Sequence, residues 1–316
     1  MSQPANHVLP VASEGAARAV RADLMALTKA RLSALVVFTT LGGWWLGAIR
    51  LGRWDGWGLA HTLFGTTLCA CGAAVFNQLI EIDADARMTR TADRPLPARR
   101  IPPVAAFALA MLLSAWGIVH LANKVNVESA ALAAATLGTY LLIYTPLKQR
   151  STTNTLVGAV SGAFPPVIGW AAIAGPEMSA LGFRWEWLNR AEAWWLFAVL
   201  FFWQMPHFLA INWMYRDEYI RGGFVMWSND DASGAKTSRL SLLFSLCLVP
   251  VAVMPWLCGF ASWPAAAGGV LLSLWLVWLS VVFQRQKTRA SARKLFFATL
   301  GYLPLVLGIA LACARR

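Results

Sequence analysis

The chain has 316 residues, 58% of them hydrophobic and only 13% charged, with a net charge of +12. Soluble chains carry roughly a quarter charged residues, so an ordinary soluble enzyme is excluded. The basic residues lie in short segments between long apolar runs, not in a basic module interleaved with aromatics, which excludes nucleic acid as the partner.

Residues 1–28 read as a polar cytoplasmic tail containing His7. They are not a signal peptide, because the first apolar run follows Lys29 and Arg31 with no cleavage site of small residues. Residues 29–316 read as one all-α polytopic membrane domain. A spanning helix needs about 20 mostly apolar residues. On that criterion spans are expected at Leu32–Ile49, Trp57–Ile80, Val104–Leu121, Val127–Tyr144, Leu156–Ala174, Trp194–Trp213, Leu242–Phe260, Ala265–Phe283 and Leu295–Ala312. Seventeen Trp suit an interfacial aromatic belt. The five cysteines, Cys69, Cys71, Cys247, Cys258 and Cys313, sit in or beside apolar runs and read as packing residues, not as a metal or redox site.

Nine spans with a cytoplasmic N-terminus place 20 of the 27 Lys and Arg residues on the cytoplasmic side and 7, Arg184 among them, on the other. That asymmetry obeys the positive-inside rule. His61 and His120 then fall near the outer ends of spans two and three, as interfacial residues.

Two acid-rich loops on the cytoplasmic side carry the chemistry. The first is NQLIEIDADARMTRTADRPLPARR, residues 77–100. Asn77, Glu81 and Asp85 are four apart and drift by about 40° per step around a helix, so they form a column on one face. An amide oxygen and two carboxylates are hard donors suited to Mg²⁺, which also takes substrate phosphates. Arg87, Arg90 and Arg94 follow as phosphate-binding groups. The second loop, NWMYRDEYIRGGFVMWSNDD at 212–231, holds Asp217 and Glu218. Neighbours on a helix differ by about 100°, so one of them binds metal while the other faces basic groups, and Asp217 is the favoured ligand. A third loop, from Tyr144 to Asn154, offers Lys148 and Arg150 to a diphosphate. The two acidic loops lie four spans apart, a placement expected when two halves of a chain share a central cavity.

These residues resemble the UbiA superfamily of intramembrane prenyltransferases, whose first motif is N-x-x-x-D-x-x-x-D. Here it stands as Asn77, Glu81 and Asp85, with Glu in the middle. Within the superfamily the chain is most similar to the branch that prenylates heme. The pattern E-x-x-x-D-x-x-M-x-R-T-x-x-R-P-L is present as Glu81, Asp85, Met88, Arg90, Thr91, Arg94, Pro95 and Leu96. Y-T-P-L-K runs from Tyr144 to Lys148, GAFPPVIGW from Gly162 to Trp170, and FWQMPHF from Phe202 to Phe208. The similarity extends from about Leu24 to Leu311. The second loop departs from the superfamily's D-x-x-x-D, because the position four after Asp217 is Arg221.

The resemblance implies a nine-helix bundle around a central cavity. It implies Mg²⁺ on Asn77, Glu81, Asp85 and an acid of the second loop, Asp217 or Glu218, and a farnesyl diphosphate held by Arg90, Arg94, Lys148 and Arg150. The implied acceptor is heme B, converted to heme O, in a pocket of Met88, Phe164, Trp170, Trp203, Gln204 and His207. Phe208 joins the aromatic faces available to an allylic cation. His207 is the heme-specific candidate, as an iron ligand or a propionate partner. A bacterial inner membrane and a heme A synthase partner are implied too. A quinone precursor or another tetrapyrrole as acceptor would use the same diphosphate site. A secondary transporter would place its acids at the membrane midplane, not at one surface. A CDP-alcohol phosphotransferase would carry D-G-x-x-A-R, which is absent.

Overall fold

The computed structural model describes residues 12–175 and 189–316. Residues 1–11, with His7, and Arg184 lie outside the described residues. Among the described residues nine helices are long and apolar enough to cross a membrane. They are α2 (Ala30–Leu51), α3 (Gly56–Ile80), α5 (Pro103–Lys124), the segment Val127–Leu147, α8 (Asn154–Ala174), α9 (Ala191–Met214), α11 (Ala235–Leu257), α12 (Trp263–Gln286) and α13 (Arg289–Ala312). The fourth span is composite. It joins α6 (Val127–Gly138), a π-helical stretch over Thr139–Tyr144, and α7 (Thr145–Leu147). Each expected span is present, and most are a few residues longer because polar end groups join the helix.

Local chemistry starts several of these helices. Asp55 accepts a hydrogen bond from the Gly58 amide at 2.9 Å to open α3. Asn126 does the same for Ser129 at 2.8 Å to open α6. Thr288 and Ser291 form a reciprocal capping box at the start of α13. The segment expected as a plain tail contains a helix, α1 (Ala12–Leu27). Its C-terminal end is tied to the bundle by Gln78, whose Nε2 donates to the Ala26 and Leu27 carbonyls at 2.9 and 2.7 Å. Asp23 on α1 pairs with Arg100 at 2.9 Å.

The helices form two groups. In the first, α2 packs on α3 and α8, α3 on α5, and α6 on α5 and α8. In the second, α9 packs on α11 and α13, and α12 bridges α11 and α13. The groups join tightly through α8 and α9 and only lightly through α2 and α13. The space left between them is the central cavity. Two short helices, α4 (Ile82–Ala86) after α3 and α10 (Arg216–Gly222) after α9, meet over one end of it.

Glycines set the closest crossing, between α2 and α8. A Cβ on Gly43 would stand 1.8 Å from the Pro166 carbonyl oxygen, and one on Gly169 would stand 1.9 Å from that of Thr40. Backbone-to-backbone approach of this kind lets membrane helices pack without a large side-chain interface. Gly169→Ala therefore forces α2 and α8 apart and costs about 1–3 kcal/mol or more, as overpacked interiors do. Gly138 faces open space, so Gly138→Ala is expected to be neutral or to stabilise by about 0.4–1 kcal/mol. Thermal melts of the two purified variants in detergent check the contrast.

Candidate active site

The acidic column forms, with a break in it. α3 ends at Ile80, Glu81 has φ −101° and ψ 11°, and α4 restarts at Ile82. The four-residue hydrogen bonds nevertheless persist at the two carboxylate positions: Glu81 N donates to Asn77 O at 3.1 Å, and Asp85 N to Glu81 O at 2.8 Å. The three side chains therefore stay on one face. Asn77, Glu81 and Asp85 are 0%, 4% and 1% exposed, whereas Asp83, on the opposite face, is exposed.

Buried carboxylates need compensation. Each of the three oxygen-bearing groups meets a cation from another part of the chain. Lys29 Nζ donates to Asn77 Oδ1 at 2.5 Å. Lys148 Nζ donates to Glu81 Oε1 at 2.7 Å. Arg94 Nη1 donates to Asp85 Oδ2 at 2.5 Å. Lys148 and Arg94 balance the two carboxylates, and the partial charge of Lys29 tips the cup positive, receptive to an anion. Arg90 adds to it from above, its guanidinium 4.8 Å from the Tyr215 ring centre and 5.6 Å from that of Tyr219.

Lys29 was legible in the sequence only as a topology-setting cation. It occupies the hinge between α1 and α2 in a left-handed backbone conformation, φ 46°. This geometry is unfavourable for a residue with a Cβ and turns the side chain inward under Asn77. Burial pushes its ammonium down to about 7, and Arg94 and Lys148 repel it while Glu81 and Asp85 attract it. For Lys148 burial likewise works against the charge, but Glu81, with Tyr144 and Tyr140, outweighs it and holds the ammonium well above its ordinary range.

The π-helical turn is a second element the sequence concealed. The five-residue spacing brings the Thr145 amide to the Tyr140 carbonyl, which also accepts from Thr145 Oγ1 at 2.8 Å. The Thr145 hydroxyl in turn faces Asn77 Nδ2 at 3.4 Å, so the amide presents Oδ1 to the cation side. Tyr140 and Tyr144 both line the cavity, and Lys148 Nζ lies 4.6 Å from the Tyr144 ring centre.

The cavity beneath has a volume of about 470 Å³, within the ordinary range for small-molecule sites. Asn77, Glu81, Asp85, Met88, Arg90, Arg94, Lys148, Trp203, Gln204, His207 and Phe208 all line it. Several expected participants do not, Glu218 and Arg87 among them. Phe164 turns toward a separate small apolar recess with Leu132 and Phe197. Trp170 is buried in the core, where α8 packs against α2. Arg150 is exposed beyond the end of α7. Asp217, the favoured acid of the second loop, points to solvent with its side chain 85% exposed, 3.8 Å from Arg216. Glu218 is the less exposed acid. It pairs with Arg221 through Oε1, and its Oε2 is buried without a partner. The second loop instead contributes Tyr219, Phe224 and Met226 to the lining, and Met88 packs with Phe224 and Met226.

The donor set fits a hard divalent cation. Among the described residues no three His, Cys, Asp or Glu side chains converge on one point. The site offers two carboxylates and an amide oxygen; the orphaned Glu218 Oε2 belongs to the second loop, outside the cavity lining. A cation such as Mg²⁺ completes such a shell with water and substrate phosphate. Replacing Lys148 by Met leaves Glu81 buried and unpaired, which costs about 3–5 kcal/mol. Adding Glu81→Gln should restore much of that stability, and a double-mutant cycle of melting temperatures measures the coupling.

The model of the UbiA prenyltransferase family matches residues 36–301. The chain is 42% identical over 294 residues to a protoheme IX farnesyltransferase of Opitutus terrae, covering 93% of this chain and 95% of that one. It is 38% identical over 283 residues to the mitochondrial protoheme IX farnesyltransferase of Arabidopsis thaliana, covering 88% and 62%. The structure is similar to that of a UbiA homolog from Archaeoglobus fulgidus bound to GPP and Mg²⁺, with a TM-score of 0.58, 9% identity, and coverage of 91% and 99%. With nine membrane-length helices among the described residues, a family model matching most of the chain, and relatives matching along most of its length, the chain belongs to the UbiA prenyltransferase family.

Proposed function

We propose that this protein transfers the farnesyl group of farnesyl diphosphate to a vinyl group of heme B, yielding heme O and diphosphate. The carrying observation is the cup of Asn77, Glu81 and Asp85, each held by a cation at the charged end of an otherwise apolar cavity. The relatives named protoheme IX farnesyltransferase support heme as acceptor, and the solved homolog with GPP and Mg²⁺ supports a metal-bound prenyl diphosphate.

Mg²⁺ would be held by Asn77, Glu81 and Asp85, with Glu218 as the second-loop acid, and would neutralise diphosphate charge. The protein's own cations do the rest. Lys29 on Asn77, Lys148 on Glu81 and Arg94 on Asp85 are placed to transfer their hydrogen bonds to phosphate oxygens. They stabilise the leaving group as the C–O bond breaks and its electron pair passes to diphosphate. Arg90 remains over the entrance on Tyr215 and Tyr219. The allylic cation then faces Tyr140, Tyr144, Trp203 and Phe208, whose ring faces attract positive charge. The vinyl π pair forms the new C–C bond, the charge moves to the adjacent carbon, and water adds there and loses a proton. The apolar walls restrict water before that point.

The charged end of the cavity is assigned to the cytoplasmic side of a bacterial inner membrane, supported by the distribution of Lys and Arg. A heme A synthase is the partner that this product implies.

Membranes supplied with farnesyl diphosphate and heme B, extracted and analysed by mass, test the reading. Heme O should form with Mg²⁺, stop with EDTA and return on adding Mg²⁺. Asp85→Ala should lower the rate by about 10²–10³-fold or more. Asp217→Ala should stay near wild type because its carboxylate faces solvent. A prenylated 4-hydroxybenzoate in place of heme O would move the acceptor to a quinone precursor.

A further inference from the structure

Deeper in the cavity, His207 is held in one orientation. Its ring lies between Trp203, 5.5 Å between centres at 23°, and Phe296 of α13, 4.8 Å at 29°. Its Nδ1 is 2.8 Å from Thr299 Oγ1. The Thr299 hydroxyl has one proton, and that proton is committed: Oγ1 lies 2.6 Å from the Phe296 carbonyl oxygen, which can only accept. Thr299 Oγ1 must therefore accept from His207, so Nδ1 carries the hydrogen. The Thr299 backbone is clamped as well, its carbonyl accepting from Trp203 Nε1 at 2.6 Å.

The contacts of His207 are aromatic rings and a hydroxyl, with no carboxylate to stabilise an imidazolium. A neutral ring protonated on Nδ1 has a bare lone pair on Nε2. No described residue bonds Nε2, and His207 lines the cavity. A neutral Nε2 cannot donate a hydrogen bond to a propionate. It can give its lone pair to a metal, and a metal-ligating histidine ordinarily has its other nitrogen fixed by a hydrogen bond, as here. His207 precedes the end of α9 at Met214 by seven residues, about 10 Å along the helix. A macrocycle bound there would lie between the charged cup and the apolar depth.

We propose that Nε2 of His207 is the axial ligand to the iron of the substrate heme, and that Thr299 is the positioning residue that fixes its tautomer and direction. This rests on the reading of heme as acceptor and selects between two roles for His207.

The test is titration of the purified full-length protein in nanodiscs with heme B and, separately, with metal-free protoporphyrin IX, followed by absorption and electron paramagnetic resonance. Wild type should give a histidine-ligated iron spectrum. His207→Gly should lose that signature and regain it with added imidazole, while its affinity for protoporphyrin IX stays within about twofold of wild type. Thr299→Val should weaken heme binding by about 10–100-fold, as loss of a ligand's supporting hydrogen bond does, and Thr299→Ser should retain it. An unchanged iron spectrum in His207→Gly, or an equal loss of affinity for the iron-free porphyrin, overturns the proposal while wild-type heme O formation keeps the acceptor reading intact. If wild type neither binds heme B nor forms heme O, both fall.

Discussion

Everything at the charged end follows from burying two carboxylates beside a membrane. Glu81 and Asp85 are nearly inaccessible, and an unpaired buried charge is too costly to persist. The chain meets this cost by bringing Arg94 from the loop after α4 to Asp85 and Lys148 from the end of α7 to Glu81, while Lys29 from the α1–α2 hinge bonds the adjoining Asn77. Three segments distant in sequence are thereby obliged to meet. Backbone contacts reinforce the meeting: Val225 N donates to the Lys148 carbonyl at 2.6 Å, and Asn154 Nδ2 donates to the Val225 carbonyl at 2.7 Å. The same pairs that stabilise the unliganded cup hold cations ready for an incoming phosphate, so structure and binding draw on one set of groups.

Below the cup the cavity changes character. Tyr140 and Tyr144 follow the charged groups, and Trp203, His207 and Phe208 lie along α9. A diphosphate and an apolar chain therefore have opposite preferences along the same axis, and orientation follows from solvation alone. The π-helical turn matters because it sends the Tyr140 carbonyl to Thr145, which in turn orients Asn77. A regular α-helix would pair that carbonyl with the Tyr144 amide instead.

The bundle is closed tightly on one side and loosely on the other. Gly43 and Gly169 bring α2 and α8 into backbone contact, and α8 joins α9. Between α2 and α13 contact is sparse, so the two helix groups share a cavity without collapsing into it. On the loop side, Met88, Phe224 and Met226 pack the two acidic loops together, joining the two halves expected from their spacing.

Much of this was written in the sequence. Nine apolar stretches determined the nine spans found among the described residues, because a hydrocarbon layer demands length and backbone self-satisfaction that few patterns supply. The four-residue spacing of Asn77, Glu81 and Asp85 determined a one-faced column, which survived a helix break because the hydrogen bonds at each position were kept. The tertiary structure alone decided which cations serve it. Lys29 and Arg150 look alike as basic residues beside spans, yet one turns inward at a left-handed hinge and the other remains in solvent. It also separated Trp203, which lines the cavity, from Trp170, which packs in the core, and placed Glu218, not Asp217, in partial burial. The physical reason is the same each time. Spacing along a helix fixes which side chains share a face, but what that face meets depends on neighbours contributed by distant parts of the chain.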